Sequence, residues 1–243
     1  MRRPRCIVLG GSGTVGREVC RELARRGAAV ALTYFRGEAA AAALGIEIAA
    51  AAVRRVDLAD GAALGGALHA LADELGGVDA LVHAASVGST CEPARFDRLD
   101  EVTLPGWERM MAVNVTSAFL ACQALAKRFD AEGGNVVLLG SIDGVKRLPA
   151  PVPYATSKGA AAALVGSLAK ALGPDRIRIN LVAAGVLEAG ASRTLPDALR
   201  AEYLKHSGLQ RVGSIGEMAS VVGFFALSNT YVTGQTIFVD GGL

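Results

Sequence analysis

The sequence predicts an α/β fold: a doubly wound, seven-stranded parallel sheet with helices on both faces, formed as a single domain over residues 1–243. Three observations carry this. Short apolar runs alternate with longer helix-periodic segments from one end to the other, the pattern of repeated βαβ units. The hydrophobic half of the chain (51%) is mostly Ala, Val, Leu and Ile with only 5% aromatic residues, which suits helices packed closely on a sheet buried on both sides. A length of 243 residues is within reach of one large α/β unit, and no Pro-, Gly- or Ser-rich linker or internal repeat divides it.

Strands are expected at 5–9, 29–34, 52–56, 80–84, 135–139, 177–182 and 236–239, each a short aliphatic run. Helices are expected at 15–26, 38–44, 62–75, 107–129, 154–172, 197–206 and 215–227. The weakest boundaries fall within 36–55, and the alanine-rich stretches read as helix propensity. Right-handed crossovers between parallel strands then distribute the helices over both faces.

Charge and cysteine usage exclude several function classes. The net charge is +2 with both signs scattered, so there is no nucleic-acid footprint. Arg2, Arg3 and Arg5 read as a solvated N-terminal tail. Cys6, Cys20, Cys91 and Cys122 form no Cys-x-x-Cys pair, and no His/Cys/carboxylate cluster has metal-ligand spacing. Buried free thiols in a reducing cytosol, and no metal, are expected. The apolar run after the first arginines is too short for a signal peptide. No stretch reaches the roughly 20 uncharged residues of a membrane span, so a soluble cytoplasmic protein is expected.

The first strand runs into Gly10-Gly11-Ser12-Gly13-Thr14-Val15-Gly16, and a helix follows at once. Gly11, Gly13 and Gly16 fit G-x-G-x-x-G, and Gly10, Gly13 and Gly16 fit G-x-x-G-x-x-G. In either phase glycines allow a tight turn and close approach of backbone N–H groups to a pyrophosphate, with the helix N-terminus adding favourable partial charge. The strand–loop–helix context makes this a dinucleotide site of Rossmann type. The second strand ends Leu32-Thr33-Tyr34-Phe35-Arg36, without the acid that binds a ribose 2′-hydroxyl in NAD enzymes. Arg36 can instead grip a 2′-phosphate, which points to NADP. Asp57, closing the third strand, either accepts from the adenine amino group or caps the next helix.

Tyr154 and Lys158 share one helix face at i, i+4 spacing. A phenol with a pKa of about 10 is a poor acid at neutral pH, and a neighbouring ammonium, like the charge of an oxidised nicotinamide, brings it toward the useful range. Ser141, after an apolar strand, is placed to bridge to the top of that helix.

These pieces, together with Val56-Asp57, Met111-Ala112-Val113-Asn114, Arg178-Ile179-Asn180 and Thr233-Gly234-Gln235 through Val239-Asp240-Gly241-Gly242, resemble the short-chain dehydrogenase/reductase family over essentially the whole chain. The chain's end most resembles the 3-oxoacyl-[acyl-carrier-protein] reductase branch. The resemblance implies a catalytic tetrad of Asn114, Ser141, Tyr154 and Lys158. Tyr154 protonates a carbonyl oxygen, Ser141 hydrogen-bonds it, Lys158 holds the nicotinamide ribose and lowers the Tyr154 pKa, and Asn114 positions a relay water. Expected cofactor contacts are Gly10, Ser12, Gly13, Thr14, Val15, Gly16, Arg36, Asp57, Leu58, Ala84, Ala85, Tyr154, Lys158, Gly185 and Leu187. The implied substrate is a ketone reduced with NADPH, including a 3-oxoacyl thioester carried on acyl carrier protein. The implied assembly is a homotetramer, with the helices 107–129 and 154–172 pairing across one interface. Residues 192–211 would form the substrate lid, where Leu195, Leu199, Tyr203 and Leu204 either face an apolar substrate or pack in the core.

The sequence departs from the family pattern at four places. Thr14 replaces a glycine, His83-Ala84-Ala85-Ser86 replaces Asn-Asn-Ala-Gly, Ala184-Gly185 replaces Pro-Gly, and Ala189 replaces a threonine that contacts the nicotinamide carboxamide. His83 reads as a packed strand residue, and His69 and His206 as solvated helix residues. Two further readings stay open: an NAD-dependent secondary-alcohol dehydrogenase, and a non-catalytic cofactor-binding or scaffold protein.

Overall fold

A computed structural model of the chain describes residues 2–88, 98–146 and 148–243. Seven parallel strands make one sheet in the order β3-β2-β1-β4-β5-β6-β7. They are β1 (Arg5–Leu9), β2 (Ala29–Tyr34), β3 (Ala52–Arg55), β4 (Ala80–His83), β5 (Gly134–Ser141), β6 (Ile177–Ala184) and β7 (Thr236–Val239). The helices are α1 (Thr14–Arg25), α2 (Glu38–Glu47), α3 (Gly61–Leu75), α4 (Leu104–Met111), α5 (Ser117–Leu125), α6 (Val152–Leu172), α7 (Asp197–His206) and α8 (Ile215–Leu227). Aliphatic side chains of α3, α5 and α6 bury one sheet face, around Leu64, Leu68, Leu125 and Val165. Val19 and Leu23 of α1, Leu44 of α2, and Met218 and Val222 of α8 bury the other. The strand order reverses between β1 and β4, so a crevice opens at their C-terminal ends, the place where such sheets hold ligands.

The doubly wound architecture stands as expected, and the differences have local causes. The helix expected over 107–129 begins earlier, because Thr103 caps α4 by accepting from Gly106 N and Pro105 sits in its first turn. It is then interrupted by a π turn at Ala112–Thr116. It stops at Leu125, where the chain leaves to bridge Phe129 to Val78. The cap of α3 is Asp60, which accepts from Ala63 N, so Asp57 does not cap that helix.

Of the N-terminal arginines, Arg2 and Arg3 are exposed as expected, but Arg5 is not part of a solvated tail. Arg5 is 7% exposed and bonds Asp79 Oδ2 and Oδ1 at 3.0 Å each, Asp130 Oδ2 at 2.8 Å, and the Gly76 carbonyl. A guanidinium buried there persists because every face of it meets an acceptor. Arg2 pairs with the same two carboxylates, and Arg3 donates to the carbonyls of Gly27 and Ala28. Cys6, Cys20 and Cys122 are buried free thiols, and burial pushes the latter two up to about 12, so they are unreactive. Cys91 lies outside the described residues. Among the described residues no helix is long and apolar enough to cross a membrane.

Candidate active site

The glycine loop is tight enough to exclude side chains. Gly10 has φ +76°, and a Cβ there would lie 2.7 Å from Ala85 Cα; one on Gly16 would strike the Gly10 carbonyl. Gly13 N donates to Gly10 O at 3.0 Å and Gly13 caps α1, which has no capping side chain and no acid in its first turn. The free N–H groups and positive helix end beside Ser12, Thr14 and Val15 are therefore left for an anion. Thr14 is accommodated because its side chain faces Gly190, where even an added Cβ would stay 3.8 Å away.

At the ends of β2 and β3 three guanidiniums surround the Phe35 ring: Arg36 at 5.7 Å, Arg55 at 5.8 Å and Arg109 at 5.4 Å from its centroid. Arg109 Nη1 also lies 2.9 Å from Asp57 Oδ2 and holds that carboxyl below the usual range. Asp57 Oδ1 accepts from Ala59 N at 3.0 Å. Arg36 is exposed and, among the described residues, has no ion pair, so its charge is available to a phosphate. The side chain of Leu58 is buried in the core, so only its backbone reaches this crest.

Past β4, Ala84 and Ala85 lie along the glycine loop, and the Ser86 hydroxyl is buried with no partner among the described residues. An orphaned buried donor beside an empty-handed helix terminus fits a ribose–phosphate ligand. His83 Nε2 meets Ser117 Oγ at 2.7 Å, and Ser117 donates to Val113 O at 2.6 Å, so Nε2 carries the proton. Burial, then the Lys158 charge, lowers the His83 pKa to about 4, so the imidazole is neutral. It is the packed strand residue expected, and His69 and His206 are exposed.

The four tetrad residues converge on one side of this crevice. Asn114 sits in the π turn, a distortion frequent at functional sites. Its Oδ1 accepts from Val87 N at 2.9 Å, and its Nδ2 donates to Val87 O at 3.1 Å and Ser157 Oγ at 3.0 Å. The side-chain amide thus ties the β4 loop to α6, leaving any water contact to the backbone. Lys158 is buried, its ammonium lies 5.4 Å from the Tyr154 ring centroid, and it donates to Leu139 O at 3.4 Å. Burial lowers its pKa to about 8, with Asp143 acting in the opposite sense. Ser141 ends β5, a strand that packs against α6, its hydroxyl bonded to Asp143.

After β6 the segment that includes α7 packs back against the chain following β6 and β7. Tyr203 Oη accepts from Val186 N at 3.1 Å and donates to Asp240 O at 2.8 Å, and a Cβ on Gly185 would collide with it. Tyr203 therefore ties α7 to the segments that follow β6 and β7. Leu187 is buried, and its N–H donates to Ser192 Oγ at 2.9 Å. Ala189 packs against the core as a small apolar residue, and the Ser192 hydroxyl, three residues on, is turned to Leu187 N.

Asp143, Arg109, Ser86 and Ser192 escaped the sequence reading. Arg109 and Ser192 matter through partners that only the folded chain brings close. Ser86 had a usable signal, a hydroxyl where the family pattern has glycine.

The family pattern described as Enoyl-(Acyl carrier protein) reductase matches residues 11–243. The chain is 30% identical to a 3-oxoacyl-[acyl-carrier-protein] reductase of Mus musculus, over 98% of this chain and 97% of that one. It is 30% identical, with the same shares covered, to an L-2,3-butanediol dehydrogenase of Corynebacterium glutamicum. A crystal structure of a blue fluorescent protein from a metagenomic library, in complex with NADPH, superposes with a TM-score of 0.88 at 31% identity, covering 98% of this chain and 97% of that one.

Proposed function

The chain belongs to the short-chain dehydrogenase/reductase family, and on that footing we propose that it is an NADP(H)-dependent oxidoreductase that reduces a ketone to a secondary alcohol. The observation that carries this reading is the buried Lys158 ammonium beside the Tyr154 ring, with the Ser141 strand end facing the same helix. The glycine loop and the α1 terminus hold the pyrophosphate, and Ser86 offers its unpartnered hydroxyl to the ribose. Arg36, with Arg55 beside it, holds the 2′-phosphate that distinguishes NADP from NAD. The NADPH carried by the structural relative supports that choice.

When bound, the dinucleotide supplies the hydride. Ser141 turns its O–H to the carbonyl oxygen and stabilises the charge that grows there. Tyr154 gives its phenolic proton to the same oxygen, and Lys158, still mostly charged at neutral pH, makes that phenol a stronger acid. Two substrate kinds come from the relatives' names, a 3-oxoacyl thioester and a vicinal diol with its keto partner. A homotetramer in the cytoplasm completes the reading, tested by sedimentation velocity and fractionation.

The test is NADPH oxidation with a broad carbonyl panel, for the wild type and for Tyr154→Phe. Turnover lost in the variant supports the reading. Equal turnover in both would sink the mechanism. NADPH binding without turnover of any carbonyl would favour a cofactor-binding protein without catalysis.

A further inference from the structure

Beside Ser141 stands a carboxylate that the mechanism does not use. Asp143 Oδ2 accepts from Ser141 Oγ at 3.1 Å, and Asp143 N donates to the same oxygen at 3.2 Å. The carboxylate is fixed in place by the next residue. Gly144 has φ +79° and lies flush on α6, where an added Cβ would collide with the Ala155 carbonyl and sit 2.7 Å from Gly159 N. Ala155 and Gly159 each follow a catalytic residue of α6, so the Asp143 turn rests on the same helical turns as Tyr154 and Lys158. Among the described residues no Lys or Arg forms an ion pair with Asp143, and Ser141 is the side chain that donates to it.

Ser141 cannot serve both partners. When its O–H turns to a substrate carbonyl, Asp143 loses that donor. A partly buried acceptor left short of a hydrogen bond is costly, and a substrate that brings a donor to the same place repairs the loss. The carbonyl and hydroxyl oxygens of an α-hydroxy ketone stand about one hydrogen-bond length apart, matching the Ser141–Asp143 pair. An ammonium there would face Lys158, and the thioester oxygen of a 3-oxoacyl substrate would bring a second acceptor to the carboxylate.

We propose that Asp143 selects the substrate by accepting a hydrogen bond from a hydroxyl on the carbon next to the reacting carbonyl. The preferred substrate is an α-hydroxy ketone and the product a vicinal diol. This rests on the ketone-reduction reading above. The carbonyl carbon gains a hydride and is reduced as NADPH is oxidised to NADP⁺, the carbonyl oxygen gains the Tyr154 proton, and the neighbouring hydroxyl is unchanged. Burial pushes the Asp143 carboxyl up while Ser141 and the Lys158 charge pull it down, so its ionised form depends on the donors around it.

The test compares kcat/KM for 3-hydroxy-2-butanone, 2-butanone and an acetoacetyl thioester with NADPH, in the wild type, Asp143→Asn and Asp143→Val. Fluorescence titration with NADPH reports whether each variant is folded. The readout is the ratio of the two four-carbon ketones, whatever happens to each rate alone. One hydrogen bond from a hydroxyl to a charged acceptor separates substrates by about 10–100-fold, and a wild-type ratio of that size is expected. It should fall to about one in Asp143→Val and to an intermediate value in Asp143→Asn, which keeps an acceptor oxygen. A wild-type ratio near one, an unchanged ratio in Asp143→Val, or preference for the thioester overturns the proposal while ketone reduction stands. Should Asp143→Val not bind NADPH, an unchanged ratio in Asp143→Asn overturns it. If no carbonyl in the set consumes NADPH, ketone reduction fails and this assignment with it.

Discussion

On the β2–β3 flank of the sheet crest, three guanidiniums gather around Phe35 at the surface, one of them paired with Asp57. On the flank formed by β4, β5 and α6, a lysine and an imidazole are buried and a carboxyl partly so, each held by a few fixed hydrogen bonds. Exposed charges are screened and partly redundant, so losing one weakens binding gradually. Buried polar groups act in low dielectric, where a missing partner costs far more. The surface flank is suited to choosing a cofactor and the buried flank to chemistry, and their responses to substitution should differ accordingly.

The largest effect belongs to the buried flank. Tyr154→Phe removes the proton donor and should lower kcat by about 10²–10⁴-fold, with NADPH affinity, read by fluorescence, little changed. On the open flank Arg36→Ala should weaken NADPH binding by about 10–100-fold through loss of charge-assisted bonds. NADH affinity should hold, and an equal loss for both cofactors would dissolve the contrast between the flanks. His83 sharpens the comparison through pH. Its folded pKa, about 4, lies below the unfolded value of 6.5, so the unfolded chain binds the extra proton between them. Stability is therefore flat above about pH 6.5 and falls as pH drops toward 4, by about 2 kcal/mol at pH 5. Urea titrations should show that slope in the wild type and lose it in His83→Asn. The smallest effect expected is at Ser192→Ala, a severalfold rise in KM for NADPH from loss of one neutral hydrogen bond worth about 1 kcal/mol.

The sheet and its helices were legible because buried parallel strands and amphipathic helices print their periods on the apolar residues. The glycine loop and the Tyr154–Lys158 pair were legible because their chemistry requires fixed spacing. The π turn at Ala112–Thr116 was not, since one extra residue in a turn leaves the apolar pattern nearly intact. Nor was Asp143, a loop acid whose meaning depends on how Gly144 seats against α6. Arg109 carried no signal in the sequence because its partner Asp57 is 52 positions away. Arg5 failed for the same reason at greater range.

That arginine also bears on how the chain reaches its native state. Its guanidinium joins β1 to Asp79, 74 residues on, and to Asp130, 125 residues on. Loop-closure entropy makes contacts of such separation expensive until the intervening units have assembled. Substitution of Arg5 is therefore expected to speed unfolding more than it slows folding, which stopped-flow chevrons would show. Interactions absent from the transition state chiefly retard escape from the folded basin, and on that outcome the role of Arg5 is to lengthen the lifetime of the assembled sheet.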